Sequence, residues 1–187
     1  RDDDLKKIKK GLKIPINLEM APTNEMLKIA IKNKPNFVCI VPEKRKEITT
    51  EGGLNLKRRK NFLKKIIYKL KKSKIRVTLF IEPKISDISL SKKLGADSVE
   101  LHTGRFCYLI NNKKNFYKEY LKIKKAAVFS TKIGLDVHAG HGLTYNSTKM
   151  ISNIKEINEY NIGHFIISES IFVGLKNSIK KFKKILK

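Results

Sequence analysis

The chain has 187 residues, 41% of them hydrophobic, which is enough for one domain with a real core. No apolar run is long enough to span a bilayer, no secretory signal pattern is present, and the two cysteines, Cys39 and Cys107, lie far apart with no zinc spacing. Lysine and arginine number 42 against 17 acidic residues, a formal net charge of +25.

The segments alternate between strand-like and helix-like. Residues 14–21 ("IPINLEMA") form a short apolar run. The next stretch, "TNEMLKIAIKN", places Met26, Leu27 and Ala30 at helical spacing behind Thr23 as N-cap. Residues 36–43 ("NFVCIVPE") read as a buried strand ending near Pro42, with Cys39 as a buried thiol. A polar loop, 41–55, follows. Then Phe62, Leu63, Ile66, Ile67 and Leu70 make one apolar helix face opposite lysines. Residues 75–83 are the next strand, followed by a helix that stops at Gly95. Residues 97–104 ("DSVELHTG") are a strand, followed by a longer polar insertion and a helix from "YKEY" to "TKIG". "LDVHAG" is the fifth strand, and "YNSTKMISNIKEI" is a shorter helix. Residues 159–167 hold the sixth strand and the start of a last helix, which is expected to run through Phe172, Leu175, Ile179, Phe182 and Leu186.

Six β-then-α units in strict alternation predict a parallel sheet with crossover helices, apolar on both faces, in a single domain over 1–187. A barrel and a doubly wound sheet both fit. The absence of a glycine-rich dinucleotide fingerprint after the first strand favours the barrel.

In such folds chemistry collects at the carboxyl ends of the strands. Those ends carry Glu19, Glu43, Glu100, His102, His138, His141 and His164. Glu19 and Glu100 each sit between apolar neighbours, where a carboxylate is costly unless paired or functional. Burial would raise the pKa of Glu100 toward the range useful for proton transfer. His102 reads equally as a structural histidine or a ligand. His138 and His141 have an H-x-x-H spacing, but on a strand they would face different ways and no third metal ligand is evident. "NIGH", ahead of a helix, offers backbone N–H groups to a phosphate, and glycine lets the backbone approach an anion closely. In the 41–55 loop, Lys44 and Arg45 could meet phosphate, and Thr49 and Thr50 could bind hydroxyls.

"NLEMAPTNEM", "VPEKRKEITTEGGL", "LFIEP", "ELHTG", "AGHGLTY", "NIGHFII" and "ESIFVGL", in this order, resemble the pyridoxine 5′-phosphate synthase family from about Asp2 to the C-terminus. The resemblance implies a TIM (β/α)8-barrel type of fold with about six of the eight units in this chain. It implies condensation of 3-amino-2-oxopropyl phosphate with 1-deoxy-D-xylulose 5-phosphate, giving pyridoxine 5′-phosphate, phosphate and water with no metal or organic cofactor. It also implies small phosphorylated substrates as partners and a cytoplasmic homo-oligomer, an octamer in the family. By position, Glu19 is implied as proton acceptor, Glu100 as transition-state stabiliser and His141 as proton donor. Thr49 is implied to contact the deoxyxylulose phosphate, and Gly142, Gly163 and His164 the amino-oxopropyl phosphate.

Two departures from the family pattern stand out. The family chain starts earlier, with two further βα regions, so this chain, which opens on "RDDDL" without an initiator methionine, is expected to be N-terminally truncated and by itself inactive. The family usually carries asparagine where His138 stands. Two other readings compete: a basic nucleic-acid-binding protein, and a non-catalytic remnant subunit. The lysines are spread over nearly every helix-like segment rather than grouped, and the aromatics lie on apolar helix faces, so nucleic acid is not the expected partner.

Overall fold

The structure is a computed structural model that describes residues 2–42 and 52–187. Its elements are α1 (Asp2–Gly11), β1 (Asn17–Met20), α2 (Asn24–Asn33), β2 (Phe37–Ile40), α3 (Lys60–Lys72), β3 (Arg76–Ile81), α4 (Ile85–Leu94), β4 (Ser98–His102), α5 (Gly104–Asn111), α6 (Tyr117–Lys132), β5 (Asp136–Gly140), α7 (Tyr145–Ile151), β6 (Ile157–Asn161), α8 (His164–Val173) and α9 (Leu175–Ile185). The sheet order is β1-β2-β3-β4-β5-β6. The pairs β1–β2, β2–β3 and β5–β6 are parallel. This is the α/β alternation the sequence predicts. The chain divides into two compact units, residues 1–82 with 86–100, and residues 83–85 with 101–187, so that β4 passes from one to the other between Glu100 and Leu101.

In the first unit each crossover helix starts and stops where its local chemistry dictates. Thr23 Oγ1 accepts the Met26 N–H at 3.1 Å and caps α2 as expected. The far end of α2 is closed by Lys34, in the left-handed conformation, and by Lys9 of α1, whose ammonium donates to the Asn33 carbonyl at 2.6 Å. Gly95, at φ +91°, ends α4 as expected. Leu63, Ile66, Ile67 and Leu70 of α3 are buried, as are Val38 and Ile40 of β2 and Val77, Leu79 and Ile81 of β3. Asp97 joins the layers: its carboxylate accepts the Val77 N–H at 2.9 Å and the Lys71 ammonium at 2.7 Å.

The alternate residues of the same strands are less apolar than expected. Glu19, Cys39 and Thr78 follow one another in parallel register, so they share one row on one face. Thr78 and Ser98, both buried, pair their hydroxyls at 2.6 Å. One face of these strands is a hydrophobic layer, and the other mixes hydrogen-bonded polar residues with the buried ring of Phe80.

In the second unit two expectations are corrected. The insertion after β4 is not all loop: α5 occupies Gly104–Asn111, with Phe106 and Cys107 buried. Its N-terminal glycine and lack of a lysine-covered face hid its period. The last helix is also not continuous. Gly174, at φ +78° and ψ 147°, breaks it into α8 and α9. Of the five residues through which one helix was expected to run, Phe172 lies on α8 and Leu175, Ile179 and Phe182 on α9, with Leu186 just beyond it, and only Phe182 is buried. The apolar spacing continues across the break, but the backbone direction does not.

Tyr145 of α7, Phe165 of α8 and Phe182 of α9 form an aromatic triangle with ring centroids 4.9, 4.6 and 5.9 Å apart. It anchors the start of α8 against its neighbours. Replacing Phe182 by alanine is expected to cost about 3–5 kcal/mol of unfolding free energy, read from the midpoint of urea denaturation.

Candidate active site

The strand ends of the first unit carry two carboxylates with different surroundings. Glu100 is buried on β4, and its Oε2 accepts the Cys39 thiol at 3.1 Å. The expected burial of both Glu100 and Cys39 therefore holds. Glu19 is exposed, contrary to the expectation drawn from its apolar neighbours. Met20, the next residue of β1, is buried, so the face of the strand that carries Met20 is packed and the one that carries Glu19 is open at this point. Its register partner is Cys39. Glu82, just after β3, accepts the Gly53 N–H at 3.1 Å. A Cβ on Gly53 would lie 2.5 Å from the Glu82 nitrogen, so only glycine fits where the chain meets the end of β3. Thr49, with Glu43, Lys44, Arg45 and Thr50, lies outside the described residues.

The second unit brings "HTG" (102–104) and "GHG" (140–142) together. Thr103 is fully buried. Its N–H donates to the Gly140 carbonyl at 2.9 Å, and its hydroxyl lies 2.8 Å from the same oxygen and 2.7 Å from the His141 carbonyl. His141 sits immediately after β5 at φ +76°, a left-handed conformation uncommon for any residue but glycine. Its imidazole packs on that of His102, with centroids 4.8 Å apart and planes at 45°. Gly142, at φ +81°, leaves its backbone exposed on one side and packs on the other side against Cys107, whose Cβ would lie 3.1 Å from any Cβ placed there.

His138 is a different case. It lies within β5, buried, with Nδ1 3.5 Å from Oε1 of its register partner Glu159 on β6. The two histidines of "HAGH" thus have separate neighbours, Glu159 for one and His102 for the other. A bulge in the β5–β6 pairing, between Val137 and His138, sets that alignment. Beyond β6, Gly163 and His164 are both exposed at the N-terminus of α8, and a Cβ on Gly163 would meet nothing within 4 Å. The ring contact of His102 and the role of Gly104 beneath it were not singled out from sequence. The glycine two residues after a strand-end histidine was the available signal.

The paired imidazoles and close-approach glycines at the strand ends of the second unit are groups suited to acid–base chemistry on a small polar molecule. The comparisons with known proteins agree and narrow this chemistry. A family model described as "Pyridoxal phosphate biosynthesis protein PdxJ" matches residues 1–187, and the chain belongs to that family. A protein of Pelagibacter ubique named pyridoxine 5′-phosphate synthase is 54% identical over 185 residues, covering 99% of this chain and 77% of that one. One of Ehrlichia chaffeensis with the same name is 50% identical, covering 98% and 75%. The chain thus spans about three quarters of their length. A solved structure titled as a 4-hydroxy-2-oxoglutarate aldolase/2-deydro-3-deoxyphosphogluconate aldolase from TTHB1 matches with a TM-score of 0.63 at 9% identity, over 100% of this chain and 78% of that one, and so shares the fold. Family membership over the whole chain sets aside the nucleic-acid reading of its charge. No described helix is long and apolar enough to cross a membrane.

Two outcomes follow from the packing around Gly142. Gly142→Ala is expected to lose about 1 kcal/mol or more of stability, because both the positive φ and the Cys107 contact oppose a side chain; chemical denaturation measures this. Burial also pushes the Cys107 thiol above its ordinary value of 9.0. The folded state therefore favours the neutral thiol, so its contribution is complete below pH 9.0 and is lost as pH rises through the raised value. Unfolding free energy should decline more steeply above that pH in the parent than in Cys107→Ser.

Proposed function

We propose that this chain carries the synthase chemistry named for its relatives: condensation of 3-amino-2-oxopropyl phosphate with 1-deoxy-D-xylulose 5-phosphate to pyridoxine 5′-phosphate, phosphate and water. The observation that carries the reading is the placement of His141 just beyond β5, held in a left-handed conformation beside the exposed backbone of Gly142. An imidazole there can donate a proton while the adjacent backbone approaches a phosphorylated substrate.

The other roles follow residue by residue from the resemblance. Glu19, exposed at its strand end, accepts a proton. Glu100, buried and hydrogen-bonded by Cys39, stabilises developing positive charge. Gly163 and His164, at the start of α8, offer backbone N–H groups to the phosphate of the amino-oxopropyl substrate. Thr49 binds the deoxyxylulose phosphate. The chemistry is acid–base throughout and uses no metal or organic cofactor. The fold is a (β/α)8-barrel type of which this chain supplies about six units, and the protein works as a cytoplasmic homo-oligomer.

Steady-state formation of pyridoxine 5′-phosphate by the parent chain tests the reading, and turnover there overturns the expectation that these 187 residues are inactive by themselves. His141→Asn and Glu100→Gln are each expected to lower kcat by about 10²-fold or more, since each removes a proton-transfer or charge-stabilising group. Unchanged turnover in His141→Asn would remove the assignment of the proton donor.

A further inference from the structure

The His141 imidazole is not held by its own backbone alone. It lies against His102, ring to ring at 4.8 Å, and both rings pass over Gly104. A Cβ on Gly104 would come within 2.8 Å of His102 Nε2 and 2.8 Å of His141 Cδ2. These are ring atoms rather than backbone, so a methyl group there would displace the imidazoles and not the fold. Gly104 is the first residue of α5 and is not among the positive-φ positions, so its backbone accepts alanine. Glycine is thus required at 104 by the two rings and not by the chain.

We propose that His102 and Gly104 are positioning residues for His141: Gly104 provides the space in which the two rings meet, and His102 forms the wall that fixes the orientation of the His141 ring. Thr103, between them in sequence, holds the carbonyls of Gly140 and His141. Three consecutive residues at the end of β4 therefore set both the backbone and the side chain of the residue that follows β5. This rests on the reading of His141 as proton donor. It assigns no proton to His102, whose contribution is the contact surface of its ring.

The test uses the full chain with Gly104→Ala, His102→Ala and, in parallel, His141→Asn. Gly104 opens α5 at a backbone geometry that alanine accepts, so Gly104→Ala is expected to keep a cooperative thermal transition with a midpoint close to the parent's. In both positioning variants the carbon-bound proton signals of the His141 ring should shift or multiply. In both, kcat should fall by about tenfold or more with KM within about twofold, as misplacement of a reacting group requires. A merely structural role would lower the midpoint together with activity. Unmoved His141 ring signals in both variants would overturn the proposal whatever the turnover. So would moved signals with undiminished kcat in either. Full activity in His141→Asn would instead remove the reading of His141 as donor.

Discussion

The contact on which the second unit depends is that of Thr103 with the end of β5. One amide and one hydroxyl converge on two successive carbonyls, Gly140 and His141, at 2.7–2.9 Å. A hydroxyl has a single proton, so its two contacts share it, and the amide carries the rest of the hold on Gly140. Buried backbone carbonyls must be hydrogen-bonded. Thr103 provides the donors from the adjoining strand end. The bonds also hold a conformation that His141 would not adopt unaided, since a side chain at positive φ costs of order 1–3 kcal/mol. With the carbonyls fixed, the imidazole is carried to one side of the loop and the Gly142 backbone is left open on the other.

The same economy appears in the first unit. Its strands place Val38, Ile40, Val77, Leu79 and Ile81 on one face and Cys39, Thr78, Ser98 and Glu100 on the other. The apolar face provides the cohesion. The polar residues are buried but satisfied: Thr78 by Ser98, and Glu100 by Cys39. With 42 basic residues against 17 acidic ones, the field around the chain draws in anions. Phosphorylated substrates suit that field.

Much of this was legible in the residues. Thr23 before an apolar period and Gly95 after one mark helix ends by mechanisms that need no tertiary context, and both hold. Glu100 between Val99 and Leu101 announces a buried carboxylate. The rest depended on what lies beside a residue. Glu19 has the same kind of sequence surroundings as Glu100, yet it is exposed while the next residue, Met20, is buried, because neighbours in sequence do not say which face of a strand is covered. Gly174 interrupts a helical period that runs unbroken through its flanks. The short α5 begins with glycine and buries Phe106 and Cys107 without the lysine-lined face that betrayed the other helices.

His138 shows why local pattern alone could not apportion the "HAGH" histidines. It stands three positions before His141, a spacing that on a helix would put both on one side. On and just beyond a strand, their partners diverge. His138 meets Glu159 because a bulge on β6 advances the pairing by one residue, from Val137–Ile157 to His138–Glu159. That added residue also shifts everything after it, including Gly163 and the first turn of α8. The bulge therefore couples two things that appear unrelated in sequence: which residue faces His138, and where the N-terminus of α8 begins. At 138 the register supplies a carboxylate to face the imidazole, and the imidazole three positions on packs against His102 instead.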